Sequence, residues 1–174
     1  MIKHEGSQPC RYRGTEFRST LEANWAATLD QLGIEWEYEP EYVVLGSGAV
    51  YLPDFVLPSL RTVIEAKGAG IPRSEKPAEL AKDNPQLIVI IGYQPVRKSI
   101  SPYLYDPYMQ WRDAAGYDTR LAQCPSCSAW QWLRPQLSRR CRLCDAPHYG
   151  VLAKAGEMQF TIAEPDIPSW LGGL

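Results

Sequence analysis

The chain has no apolar run long enough to cross a membrane. Its longest unbroken aliphatic stretch, residues 87–91, holds five residues, against the roughly 20 that a spanning helix needs. The opening residues Met1-Ile2-Lys3-His4-Glu5-Gly6 carry no apolar core of the secretory kind. No membrane partner and a reducing, cytoplasmic location are therefore expected, which leaves disulfides a poor account of the five cysteines. Internal repeats and low-complexity segments are absent, and phenylalanine is scarce, three beside six Trp and ten Tyr. A strong net charge is also missing, with 18 Lys and Arg against 20 Asp and Glu.

What is present supports one globular domain, or one with a small appendage: 174 residues with 45% hydrophobic content can bury a real core. The near-neutral sum hides an uneven distribution. Residues 1–119 hold 12 basic and 16 acidic side chains, residues 120–148 five and one, and residues 149–174 one and three. Positive charge thus travels with the cysteines.

Along the chain, Phe17, Leu21, Trp25, Leu29 and Leu32 recur at helical spacing, which predicts an amphipathic helix over 15–32. Thr15 or Ser19 can cap it and Gly33 can end it. Residues 34–41 alternate, with Ile34, Trp36 and Tyr38 on one side and Glu35, Glu37, Glu39 and Glu41 on a side read as solvated. Strands are expected over 42–45 and 49–57, joined by Gly46-Ser47-Gly48, and over 62–67. A short helix over 74–82 then leads to a buried aliphatic strand over 86–92, parallel to an earlier one. Beyond Tyr93 only 108–115 reads as helical, and the tail after Glu157 is strand-like, then rich in Pro and Gly.

Chemistry concentrates first in Pro53-Asp54 and Glu65-Ala66-Lys67. Glu65 and Lys67, two apart on a strand, share a face. If 62–67 folds back on 49–57 through a short loop centred on Ser59-Leu60, paired positions sum to 119 and Asp54 falls opposite Glu65. Two carboxylates opposed on a largely apolar face repel, at a cost on the order of 0.2–1 kcal/mol and more if buried. A divalent cation removes that cost; Asp54, Glu65 and the Ala66 carbonyl suit Mg²⁺ (or Mn²⁺), with Lys67 placed to act on an attacking water. The alternative is a turn aspartate beside an exposed Glu65–Lys67 pair.

A helix carrying a glutamate, then Pro53-Asp54, then Glu65-Ala66-Lys67, then a helix and an aliphatic strand, resembles the PD-(D/E)xK nuclease superfamily over about residues 12–92. The stretch from Tyr38-Glu39-Pro40-Glu41 through Tyr51-Leu52-Pro53-Asp54-Phe55 also looks like its small phage-type members. The resemblance implies an α/β (α+β), restriction-endonuclease-like fold with a mixed central sheet flanked by helices. It further implies a Mg²⁺-dependent deoxyribonuclease, an endonuclease rather than an exonuclease, working in a bacterial or phage-infected cell. Asp54, Glu65 and Lys67 would be its catalytic residues, with the helix glutamate represented by Glu22. Glu22 equally fits a capping box with Ser19 or a helix pair with Arg18.

Cys124-Pro125-Ser126-Cys127 and Cys141-Arg142-Leu143-Cys144 form the second signal. Two C-x₂-C turns complete a tetrahedral Cys₄ site, so Cys124, Cys127, Cys141 and Cys144 are expected to bind structural Zn²⁺; His148 could replace one ligand, and Cys10 is spare. The segment resembles a zinc ribbon in which Ser128 and Asp145 replace the glycine that often follows each knuckle. Arg134, Arg139, Arg140 and Arg142, beside Trp130 and Trp132, suit DNA contacts, or else the tryptophans pack and the arginines are merely exposed. The division expected is a nuclease-like core at 1–119, a zinc ribbon at 120–150, and a strand and tail at 151–174 that packs on either. DNA is the expected partner, with a homodimer or a phage or mobile-element protein as further possibilities. The competing reading is a catalytically silent DNA-binding adaptor on the same scaffold.

Overall fold

The computed structural model describes residues 8–68, 73–93, 110–134, 140–147 and 163–166. Over these residues the fold is mixed α+β, with a mostly antiparallel sheet and two helices. No helix among them is long and apolar enough to cross a membrane.

The chain opens with a hairpin, β1 (Cys10–Tyr12) and β2 (Thr15–Phe17), where a helix was expected to start. Arg13 and Gly14 both have positive φ, 49° and 81°, so this two-residue loop has the twist that closes hairpins and pulls Thr15–Phe17 out of the helix. Helix α1 (Thr20–Gln31) starts at Ser19, whose side chain accepts from the Glu22 N–H while Glu22 accepts from the Ser19 N–H. It ends as the sequence predicts: Gly33, at φ 66°, donates to Asp30 O and Ile34 N–H to Leu29 O, the six-residue glycine terminator.

A seven-stranded sheet organises the rest. Its order is β11 (Trp130–Leu133), β10 (Asp118–Gln123), β9 (Gln110–Asp113), β8 (Ile88–Tyr93), β7 (Thr62–Lys67), β6 (Phe55–Leu57), β3 (Glu37–Tyr38). Only β7 and β8 run parallel, joined through α2 (Glu75–Asp83), as the aliphatic run implied. The β6–β7 register is also as expected, with Phe55 on Ile64, Val56 on Val63 and Leu57 on Thr62.

Three elements differ from the sequence reading. The strand over 34–41 shrinks to Glu37–Tyr38. Residues 42–45 and 49–57 give up only Val43–Val44 (β4) and Val50–Tyr51 (β5) to a separate hairpin. Its turn is tied to α2: Gly46 N–H donates to Asp83, Ser47 N–H to Glu79, and a Cβ at Gly46 would meet Asp83 Oδ2 at 2.9 Å. Part of the helix expected over 108–115 is strand β9, because pairing with β8 satisfies its backbone and Asp113 turns the chain by accepting from the Ala115 and Tyr117 N–H groups. Of the tail, only 163–166 is described, without regular structure.

One core, around Trp25, Phe17, Phe55, Ile64 and Ile90, packs α1 on one sheet face. Leu121 and Trp132 of the β10–β11 hairpin join it, and Trp132 Nε1 donates to Thr62 Oγ1 at 2.8 Å. A smaller core of Leu45, Tyr51, Val63, Leu80 and Val89 seats α2 and the β4–β5 hairpin on the other face. The boundary expected between 119 and 120 falls inside β10.

Candidate functional site

The parallel pair β7–β8 places Glu65 and Lys67 beside Ile91 and Tyr93, at its C-terminal end. Glu65 is 8% exposed and Asp54 4%, so neither is a solvated surface carboxylate. Lys67 Nζ forms an ion pair with Glu65 Oε1, with both side chains largely buried. On its other oxygen Glu65 accepts from the Tyr51 hydroxyl at 2.6 Å.

Asp54 sits one step past the last β6–β7 pair and turns inward. Its Oδ2 accepts from the Ala66 N–H at 2.7 Å and its Oδ1 from Arg18 Nη2 at 2.8 Å. Burial, then the Glu65 and Glu22 charges, push its pKa up to about 7, against the lowering pull of the Ala66 N–H and Arg18. Burial thus leads, and repulsion from the neighbouring carboxylates adds to it.

Glu22 reaches the same neighbourhood from α1, but its carboxylate is engaged: Oε2 accepts from Ser19 N–H at 3.2 Å and from the Tyr38 hydroxyl at 2.7 Å. Glu39 departs from its solvated strand. A left-handed φ of 44° swings it inward, where Oε1 pairs with Arg18 at 2.5 Å; Glu35, Glu37 and Glu41 remain exposed. Arg18, Tyr38, Glu39 and Tyr51 are thus site residues that pattern alone did not single out. Only the Arg18–Glu22 helix spacing and the proximity of Tyr51 to Asp54 hinted at them.

The cysteines form a second, sharper centre. Cys124, Cys127, Cys141 and Cys144 bring their sulfurs within 4.8 Å of one another, the one such ligating cluster among the described residues, and they could hold a metal such as zinc. The fit is close. Cys124–Cys144 and Cys127–Cys141 sulfurs lie 3.7 Å apart, and a tetrahedron with Zn–S bonds of about 2.3 Å has edges of about 3.8 Å.

The two knuckles repeat each other. Ser128 N–H donates to Cys124 O and Asp145 N–H to Cys141 O, and the cysteine N–H groups donate forward to Ala129 O and Ala146 O. Ser128 and Asp145 adopt φ of 58° and 59°, the conformation glycine would take without strain. The first knuckle tips the β10–β11 hairpin, and the second tips the Arg140–Pro147 bridge. Amide groups of Cys144 and Leu143, and Gln131 Nε2, point at Cys141 Sγ and hold this thiol down to about 6. His148 lies outside the described residues.

Comparison with known protein families, characterised proteins and solved structures finds no significant match.

The arginines divide. Arg134 pairs with Asp113 and lies 4.7 Å over the Tyr117 ring, Arg140 makes a two-pronged pair with Asp145, and Arg142 is exposed. Arg139 lies outside the described residues. The other three line a cleft of about 800 Å³ with Trp132 and the Ile88–Ile90 end of β8. Since Glu65 and Lys67 neighbour Ile91 and Tyr93, cleft and carboxylates lie toward opposite ends of that strand.

Proposed function

We propose that the chain is a metal-dependent nuclease that hydrolyses DNA phosphodiester bonds, an endonuclease rather than an exonuclease, on a restriction-endonuclease-like core stabilised by a structural zinc ribbon. One observation carries the reading: Asp54 and Glu65, noted in sequence as Pro-Asp and Glu-x-Lys, are both buried at one end of β6–β7 beside Lys67, where burial first and the Glu65 and Glu22 charges second raise Asp54 to about 7. Stability alone gives no reason to collect them there.

The donor set is all oxygen, which suits Mg²⁺ or Mn²⁺ over softer ions. Asp54, Glu65 and the Ala66 carbonyl would hold it, with Glu22 assisting through its charge on Asp54. Bound there, the ion would neutralise the carboxylates and activate water for in-line attack. The chain's own groups do the rest. Tyr51 fixes one Glu65 oxygen, leaving the other for Lys67. Lys67 then orients the attacking water and offsets negative charge as it develops on the phosphorus oxygens. Four cysteine ligands leave zinc no open position, so its part is to fold residues 124–147 and to carry Arg134, Arg140 and Arg142 toward DNA or a protein partner.

A catalytically silent, DNA-binding adaptor of a phage or mobile-element assembly is the second reading, favoured by Arg18, which already neutralises part of the charge on Asp54. A cleavage panel of linear, circular, nicked, branched and single-stranded DNA with Mg²⁺ or Mn²⁺ separates them. Under the nuclease reading Asp54→Ala and Lys67→Ala each lose at least 100-fold in rate with zinc content and circular dichroism unchanged. Binding without cleavage on every substrate supports the adaptor.

A further inference from the structure

The carboxylate site carries a cation of its own. Arg18 directly precedes the cap of α1, and its Nη2 reaches Asp54 Oδ1 at 2.8 Å and Glu39 Oε1 at 2.5 Å. Its backbone is held, because its N–H donates to the Tyr38 hydroxyl at 3.1 Å. Its side chain is 59% exposed, so the guanidinium can swing without disturbing the core. Glu39 is brought to it by a backbone conformation rare for glutamate, and the Glu39 N–H donates to Asp54 O at 3.0 Å. Such outliers persist where surrounding contacts demand them.

The partners of Asp54 decide what an incoming ion must do. One oxygen is taken by the backbone N–H of Ala66, fixed in β7, and the other by a long side chain that is more than half exposed. Two cations on one carboxylate oxygen repel, so the side chain is the partner that yields. We propose that Arg18 is a displaceable counter-ion of the site, bridging Asp54 and Glu39 and giving up Asp54 Oδ1 to a divalent cation while it keeps Glu39. This rests on the reading that Asp54 and Glu65 hold the ion.

Binding of Mn²⁺ to the zinc-loaded full chain, followed by the electron paramagnetic resonance of the free ion, tests it. Arg18→Gln should tighten the Mn²⁺ Kd at least fivefold, Arg18→Lys should leave it within about twofold, and Asp54→Asn should abolish binding. In the unmutated chain, the side-chain Nε–H resonance of Arg18, assigned by its loss in Arg18→Gln, should move on titration with Mg²⁺; that measurement does not depend on a variant folding. An unchanged or weaker Mn²⁺ Kd in Arg18→Gln, or an Arg18 resonance indifferent to Mg²⁺, overturns the counter-ion role while loss of binding in Asp54→Asn keeps the metal site. If the unmutated chain binds no Mn²⁺, or Asp54→Asn binds it equally well, the metal site falls and the counter-ion role falls with it.

Discussion

Four thiols gathered from the tip of β10–β11 and from the Arg140–Pro147 bridge, and two buried carboxylates at the end of β6–β7, are both clusters of like-charged groups, yet they handle their repulsion differently. The thiols are symmetric and close together, with paired sulfurs 3.7 Å apart and backbone amides aimed at them. That arrangement is complete only with a cation at its centre. The carboxylates each have a cationic neighbour that offsets part of their charge: Arg18 for Asp54 and Lys67 for Glu65. The first arrangement should stabilise the fold on binding a metal; under the nuclease reading proposed above, the second would tolerate a metal's coming and going. Closed against open coordination is the distinction between structural and catalytic sites.

The largest effect should come from breaking the closed centre. Cys141→Ser, or stripping the metal with a chelator, should lower zinc content from one equivalent to near zero and disorder the two knuckles, residues 124–129 and 140–147. Apparent binding energies of structural zinc sites run to about 10–16 kcal/mol, whereas β11 is held independently of the metal by Trp132 and Leu133 in the core and by its pairing with β10. The core around Trp25 should survive, because α1 and the β6–β8 ladder form it largely on their own. Metal analysis beside near-ultraviolet circular dichroism reads both. Equal loss of the whole fold would show the two regions to be one cooperative unit.

The open site should respond to protons. Asp54 is raised in the folded chain to about 7 from 3.8. Between those values the folded state binds more protons than the unfolded state, so stability falls as pH rises through the window. For the zinc-loaded protein without Mg²⁺, about 1 kcal/mol should be lost between pH 6 and pH 8. Urea unfolding at both pH values measures it, and in Asp54→Asn the difference should vanish. Excess Mg²⁺ should shrink it by stabilising the ionised carboxylate.

How much was legible follows the same divide. The C-x₂-C spacing names all four thiols, and a short loop centred on Ser59-Leu60 gives the β6–β7 register, which the core enforces because a one-residue slip would turn Phe55 and Ile64 to the wrong face. Asp54, Glu65 and Lys67 follow from that register. What escapes the sequence is set by single backbone conformations. Arg13 at positive φ converts the first turn of an expected helix into a strand, and Glu39 at positive φ turns an expected solvent residue into an Arg18 partner. Neither residue type announces a left-handed conformation. Strand β9 was missed because its pairing with β8 lies outside the local pattern.

Glu22 sits on this boundary, and a smaller prediction separates its two roles. Ser19→Ala removes the hydroxyl that accepts from the Glu22 N–H and should cost about 1 kcal/mol. It leaves the Glu22 carboxylate with Tyr38 and the Ser19 N–H. If Glu22 serves only the cap, Ser19→Ala and Glu22→Gln should move stability alone and leave Mn²⁺ affinity unchanged. If it also assists the metal, Glu22→Gln should weaken Mn²⁺ binding severalfold where Ser19→Ala does not.

The smallest effect tests the symmetry of the knuckles. Ser128 at φ 58° and Asp145 at φ 59° occupy equivalent positions. An L residue in this conformation is strained by about 1–2 kcal/mol, and glycine relieves the strain at an entropic cost of about 0.5–1 kcal/mol. Ser128→Gly should therefore stabilise the zinc-loaded chain by about 0.5 kcal/mol, read from urea unfolding. Asp145→Gly should gain less backbone relief, since aspartate tolerates this conformation better than serine, and should lose the two bonds that Asp145 accepts from Arg140, both 2.7 Å. A smaller gain at Asp145 than at Ser128 therefore reflects that pair together with the milder strain of aspartate. A gain at Asp145 as large as at Ser128 would mean the Arg140 pair adds nothing to folding.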